Sequence, residues 1–206
     1  MWIRFCNAFA KITGFPVQLL CFRTYTTDED PKKSGRKYRG PAVIVSNHTS
    51  VYDYAVYIFV FFRRTLRTVM AEVLFRKPLL RVFLKSMGGI RVDRGAHDLS
   101  FIDRAVEVLS KKGTVLIFPE GRLPKEGEER PLAFAPSAAL IALRAGVPVI
   151  PVYTNGSYFK KARARVIVGS PVDLSEWTEP ERTEKENLEL VTMRLREKII
   201  ALGERL

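Results

Sequence analysis

The chain holds only two cysteines in 206 residues, Cys6 and Cys21, and no C-x-x-C pair. That excludes a disulfide-stapled scaffold and a cysteine-built zinc site, and it points to free thiols in a reducing compartment. Histidine is equally scarce at two residues, and the acids are scattered, so neither a metal nor another cofactor is expected. No G-x-S-x-G elbow occurs, which argues against a serine nucleophile on a strand–helix turn. Repeats and low-complexity tracts are missing too. Long apolar runs are short of what a membrane span needs. The longest uncharged stretch of the first 27 residues, Ile12–Phe22, has 11 residues and contains Gly14 and Pro16. A spanning helix needs about 20, and no clear signal-peptide cleavage site follows.

What that opening segment does contain is cations and bulk. Arg4, Lys11 and Arg23 stand among Trp2, Ile3, Phe5, Phe9, Phe15 and Leu20, with no acid before Asp28. Such a composition, broken by Gly14 and Pro16, fits two short helices lying in one leaflet, and equally a first pair of core helices. The charge continues this bias. Residues 1–94 carry 17 Lys/Arg against 6 Asp/Glu, while the remainder is nearly balanced within a total of +12. A field of that sign attracts phosphates, and Lys32, Lys33, Arg36, Lys37 and Arg39 form a basic stretch suited to anionic head groups.

One of the two histidines sits in Asn47-His48-Thr49-Ser50-Val51-Tyr52-Asp53, just after the apolar run Pro41–Val45. Imidazole is the side chain best suited to act as a base near neutral pH, and a carboxylate on its other nitrogen fixes the tautomer. Five residues of continuous helix would leave His48 and Asp53 roughly 140° apart. They meet only if His48 lies on a loop and Asp53 on the first turn of a helix. The same residues also read as a capping box, with Ser50 at the N-cap.

Further along, Leu66–Met70, Gly89–Val92, Thr114–Phe118 and Val147–Val152 read as strands, and Arg163–Val168 as an edge strand. Pro78–Ser86, a segment opened by Asp98 or Ser100 with Ile102, Ala105, Val106 and Leu109 on one face, Ser137–Ala145 and Glu181–Leu206 read as helices. This alternation predicts a single α/β layered domain over residues 31–206, with a mostly parallel central sheet flanked by helices. A membrane-associating helical arm, residues 1–30, precedes it. In such sheets function gathers at the carboxyl ends of strands. Both the histidine motif and Phe118-Pro119-Glu120-Gly121-Arg122 fall there, and the charged stretch Leu123–Pro136 reads as a mobile flap.

Four blocks now stand in order: Asn47-His48-x4-Asp53, Gly89-Ile90-Arg91-Val92-Asp93-Arg94, Phe118–Arg122, and Val147-Pro148-Val149-Ile150-Pro151-Val152. Together they resemble the glycerolipid acyltransferases, specifically the 1-acylglycerol-3-phosphate (lysophosphatidic acid) acyltransferase family, over residues 36 to 170 or so. The resemblance implies acyl transfer from acyl-CoA or acyl-carrier protein to the sn-2 hydroxyl of 1-acylglycerol-3-phosphate, giving phosphatidic acid. It implies His48 as general base and Asp53 as its orienting partner. Asn47, Arg94, Glu120, Gly121 and Arg122 match positions associated with the acceptor. Because Glu120 repels a phosphate, it is expected to orient Arg94 or Arg122, or to hold an acceptor hydroxyl. The expected setting is the cytoplasmic face of the cell membrane, peripheral or monotopic. Two departures stand out. Arg122 follows Gly121 directly where many members read F-P-E-G-T-R, and Phe134-Ala135-Pro136-Ser137 replaces a common Phe-Lys-x-Gly segment. These keep open another lysolipid acceptor, such as a lyso-aminolipid. A basic module binding anionic membrane or nucleic acid is the non-enzymatic alternative, although no known nucleic-acid motif is present.

Overall fold

A computed structural model describes residues 1–93, 99–159 and 163–206. Its strands are β1 (Tyr25–Asp28), β2 (Ala42–Ser46), β3 (Leu66–Ala71), β4 (Ile90–Val92), β5 (Thr114–Ile117), β6 (Val149–Thr154) and β7 (Arg165–Val168). Its α-helices are α1 (Trp2–Val17), α2 (Asp53–Val60), α3 (Pro78–Met87), α4 (Ser100–Ser110), α5 (Ser137–Ala145) and α6 (Glu184–Gly203). The strands form one sheet in the order β1-β7-β6-β2-β5-β3-β4. Every neighbouring pair is parallel except β6 with β7.

The central strands are apolar throughout because helices cover both faces. Side-chain alternation sorts each strand between two cores. Val43, Val45, Val115 and Ile117 pack with Leu109, Ile141 and Leu195 of α4, α5 and α6. Ala42, Ile44 and Leu116 point the other way, onto Phe22 and onto Val56 and Tyr57 of α2. Helix α5 stops where expected, at Gly146, whose φ of 59° is the left-handed C-cap conformation.

Three expectations are corrected. Arg163–Val168 reads as an edge strand, but β7 lies inside the sheet, between β6 and β1. The true edge, Tyr25–Asp28, falls within residues 1–30 and is too polar to give a hydrophobic signal; its threonines suit an extended, half-exposed strand. The break expected at Gly14 and Pro16 does not occur either. Helix α1 runs on into a π-helical turn, Gln18–Phe22, and ends at Arg23 in the left-handed region. A proline inside a helix removes one hydrogen bond and crowds the preceding turn, and the wider π turn just beyond it absorbs that misfit. The resulting 21-residue helix, Trp2–Phe22, is long and apolar enough to cross a membrane. The 11-residue uncharged run therefore understated it.

The same helix is nonetheless tied to the domain. Asn7 Nδ2 donates to the Met87 carbonyl at 3.1 Å, and Lys11 Nζ donates to the carbonyls of Phe62 and Arg64 at 2.7 and 2.6 Å. Those bonds turn its polar side inward, and Trp2, Phe5, Phe9, Ile12, Phe15 and Leu19 are left exposed.

Candidate active site

Strands β2 and β5 lie side by side, with Val45 opposite Ile117, so the segments that leave their carboxyl ends are neighbours. Asn47 anchors the first of them. Its side chain is buried, donating from Nδ2 to the Thr154 carbonyl and accepting the Thr154 N–H at Oδ1, both at 2.8 Å. This residue was expected among the substrate contacts. Its amide is instead spent on clamping the ends of β2 and β6, which fixes where His48 begins.

His48 and Asp53 meet across a loop and the first residue of α2. His48 Nδ1 lies 2.8 Å from Asp53 Oδ2. The same oxygen accepts the backbone N–H of Thr49 at 2.7 Å and of Ser50 at 2.9 Å, and Oδ1 accepts the Thr49 hydroxyl at 2.9 Å. Asp53 is completely buried, so these donors are what make its charge tolerable there. A carboxylate can only accept, so Nδ1 carries the proton and Nε2 presents a lone pair. Nε2 has no hydrogen-bond partner among the described residues, and the His48 side chain is 22% exposed. The capping reading is half fulfilled. Asp53 reaches back to Ser50, but the Ser50 hydroxyl accepts from Tyr52 N at 3.2 Å, and the N-cap of α2 is Tyr52.

Aromatic packing holds the base from the side. The Phe118 ring stacks on the imidazole, with centroids 4.3 Å apart and planes at 20°. Tyr57 stacks behind Phe118 at 5.9 Å, and its hydroxyl is 2.5 Å from Ser46 Oγ. Burial pushes the Tyr57 phenol well up, and burial followed by the nearby Asp53 charge does the same to Tyr158. Both phenols therefore stay neutral beside the dyad. Tyr57, Tyr158, Thr49 and Thr154 escaped sequence reasoning, since nothing local marks Tyr158 or Thr154 as neighbours of residue 53.

Glu120 follows β5 on a turn closed by Gly121 N bonding to the Phe118 carbonyl at 3.1 Å. Gly121 has φ +69°, the left-handed region that favours glycine. Glu120 is expected to orient Arg94 or Arg122, or to hold an acceptor hydroxyl. Its Oε1 instead accepts the His48 backbone N–H at 2.7 Å, and Oε2 accepts Leu132 N–H at 3.0 Å. It thus joins the loop bearing the base to the segment 123–136. Burial pushes its carboxyl up, outweighing these two bonds.

Arg122 donates to Glu128 and to the Leu123 carbonyl rather than to Glu120. It forms a two-pronged pair with Glu128, at 2.6 and 2.7 Å, and this pair holds the Glu128 carboxyl down at about 2. Segment 123–136 is further tied by Arg196, which donates to the Leu132 and Pro131 carbonyls. Arg91 pairs with Glu72 and Asp93, each at 3.6 Å. Arg94 lies outside the described residues.

Residues 24–155 match the family model described as Acyltransferase. The chain is 29% identical to a chloroplastic 1-acyl-sn-glycerol-3-phosphate acyltransferase of Brassica napus, over 57% of this chain and 33% of that protein. It is 29% identical to the human 1-acyl-sn-glycerol-3-phosphate acyltransferase beta, over 64% of this chain and 48% of that protein. A third such relative, from Borreliella burgdorferi, is 27% identical over 64% of this chain and 50% of its own length. The chain thus spans a third to a half of the curated relatives it matches. Its fold resembles the crystal structure of the 1-acyl-sn-glycerophosphate acyltransferase PlsC from Thermotoga maritima, with a TM-score of 0.66 at 21% identity over 99% of this chain and 80% of that one. With the family model covering well over half of its residues, including His48, Asp53 and Glu120, the chain belongs to the acyltransferase family.

Proposed function

We propose that the chain transfers a fatty acyl group from acyl-CoA or acyl-carrier protein to the sn-2 hydroxyl of 1-acylglycerol-3-phosphate, at a membrane surface, giving phosphatidic acid. The observation that carries this reading is the 2.8 Å bond from His48 to a buried Asp53, with Nε2 unpartnered among the described residues at the carboxyl end of the sheet. The names of the relatives support the choice of acceptor.

In the reaction, Nε2 of His48 takes the hydroxyl proton as the oxygen attacks the thioester carbonyl carbon. Asp53 stabilises the imidazolium. The tetrahedral intermediate collapses with cleavage of the C–S bond, and the departing thiolate takes the proton back. A positioned base contributes about 10²- to 10⁴-fold. Glu120 is a positioning residue that fixes the His48 backbone. Arg122 and Arg94 are the proposed phosphate contacts. A phosphate offers Arg122 the same two-pronged geometry that Glu128 now supplies, so the acceptor can replace that carboxylate.

Membrane association is supported by the exposed apolar residues of α1 and of its neighbour α3, where Leu79, Val82 and Phe83 are uncovered. Contact on the cytoplasmic face places the site beside its soluble thioester donors. A different lysolipid acceptor is the second reading. It is favoured by the uncharged Ala135-Pro136 where relatives often carry lysine, and by an Arg122 already engaged with Glu128.

The test is phosphatidate formation by purified protein in mixed micelles with lysophosphatidate and either donor, beside His48→Ala. Turnover that falls at least about 100-fold in the variant is expected from loss of the base. Undiminished turnover in His48→Ala sinks the mechanism, and turnover only on another lysolipid selects the second reading.

A further inference from the structure

At the end of the sheet opposite His48, the amino-terminal ends of β2, β5 and β3 open into a cavity of about 670 Å³. Gly40, Thr114 and Thr65 mark the three strand starts, and Met1–Arg4 of the exposed apolar helix forms a further wall. Eight of the lining residues are Arg or Lys, and none is Asp or Glu.

Four of these cations are engaged by the protein. Arg36 pairs with Asp28, Lys111 with Glu107, Arg67 Nε donates to the Gly88 carbonyl, and Arg64 donates to the Gly40 carbonyl and the Thr114 hydroxyl. The side chains of the other four, Arg4, Arg39, Arg63 and Lys112, make no hydrogen bond or ion pair among the described residues. All four are exposed at the rim. Half-buried Arg64 keeps an Nε donor without a partner among the described residues. Burial holds its guanidinium below the ordinary arginine range, and the like charge of Arg39 pushes the same way.

Cations crowded into a concave site repel one another and focus a positive potential outward. An anion relieves that repulsion, and phosphate matches both the arginine fork and the lysine point charge. A smeared surface charge would not need a cavity or a buried unpaired donor. Nor is this the acceptor's site. Gly40 and His48 lie beyond opposite ends of β2, whose five residues span roughly 16 Å, whereas the phosphate of a lysophosphatidate is only a few bonds from its reacting hydroxyl.

We infer that this cavity is a discrete second binding site for a phosphomonoester or polyphosphate group. The group comes either from the headgroup of an anionic phospholipid, whose chains would lie along the apolar face of α1, or from a soluble polyphosphate. The site is independent of the acyltransferase reading.

The experiment uses the purified full chain, the triple variant Arg39→Gln/Arg63→Gln/Lys112→Asn, and His48→Ala. Inorganic pyrophosphate is titrated calorimetrically, and phosphatidylcholine vesicles with and without phosphatidate are sedimented with each protein. Saturable one-to-one pyrophosphate binding is expected, weakened at least about tenfold in the triple variant, unchanged in His48→Ala, and reduced by salt. Exposed positions leave folding intact, so the melting temperature of the triple variant should match the wild type. If the variant also loses its preference for phosphatidate vesicles, and pyrophosphate competes for that preference, the source is the headgroup. If only pyrophosphate binding falls, the source is soluble. Equal pyrophosphate binding by wild type and triple variant, or loss of binding in His48→Ala, overturns the site.

Discussion

Replacing Asp53 by asparagine removes one charge and leaves the outline of the side chain. Three N–H groups converge on Oδ2, from the His48 ring and the Thr49 and Ser50 backbones, while Oδ1 accepts the Thr49 hydroxyl. An amide nitrogen at the Oδ2 position would confront three donors. The amide oxygen therefore goes there, and the nitrogen takes the place of Oδ1, where the hydroxyl can rotate to accept. His48 keeps its Nδ1 proton, and Nε2 remains the free base. What disappears is the negative charge that stabilises the imidazolium during transfer. Replacing a charge-assisted hydrogen bond by a neutral one loses about 1–2 kcal/mol. That corresponds to roughly 5- to 30-fold in kcat, with KM for donor and acceptor unchanged. Steady-state kinetics on phosphatidate formation measures it directly. Asp53→Ala is the companion variant. It leaves the Thr49 and Ser50 donors unpaired in a buried loop, at about 1–3 kcal/mol each, so its melting temperature falls while that of Asp53→Asn holds. A loss of kcat in Asp53→Asn as deep as in His48→Ala would mean the amide has flipped and forced the wrong tautomer. It would refute the account of how the three donors decide the orientation.

Glu120→Gln is expected to lower kcat without raising KM for the acceptor, because a single amide oxygen cannot serve both His48 N and Leu132 N; a selective rise in KM would restore Glu120 as an acceptor contact. Its carboxyl is raised above 4.5 in the folded state, so the folded form binds the proton more tightly than the unfolded form does. The associated stability is present below that value and lost as pH rises through the folded-state value. Denaturant titrations from about pH 4 to 7 should show this decline in wild type and its removal in Glu120→Gln. Glu128 behaves oppositely. Its carboxyl is held at about 2 by Arg122, so that pairing is present above 4.5 and lost as pH falls towards 2. Glu128→Gln releases Arg122 at neutral pH and should lower KM for lysophosphatidate; an unchanged KM removes Arg122 from the acceptor site. Phe5→Glu/Phe9→Glu should abolish sedimentation with vesicles and leave the melting temperature unaltered, since both rings are exposed. Full vesicle binding by that variant would show that α1 is not the membrane contact.

The loop-to-helix passage at His48–Asp53 was readable in sequence because its determinants are local. A buried strand, a turn-forming tetrapeptide and a carboxylate at the head of a helix leave one way for the pair to meet. The strand cores of β2 and β5 and the span of α5 were readable for the same reason. Local rules failed where a distant partner outweighed them. Gly14 and Pro16 should have broken the first helix, but Asn7 and Lys11 fasten it to carbonyls at Met87, Phe62 and Arg64. Tyr25–Asp28 has too little apolar character to read as a strand, and becomes one because β7 offers it a parallel edge.

The sequence by itself determined that a base and a carboxylate stand at one strand end and a Glu-Gly-Arg turn at another, since periodicity and turn chemistry act over a few residues. Only the tertiary structure decided what those groups touch. Asn47 clamps Thr154 across 107 residues of chain, and Glu120 holds the backbone of His48 across 72. The crossovers that order the sheet, not the residues near each motif, choose such partners. The same crossovers gather Arg and Lys from four separate segments around one cavity, which no stretch of sequence could display.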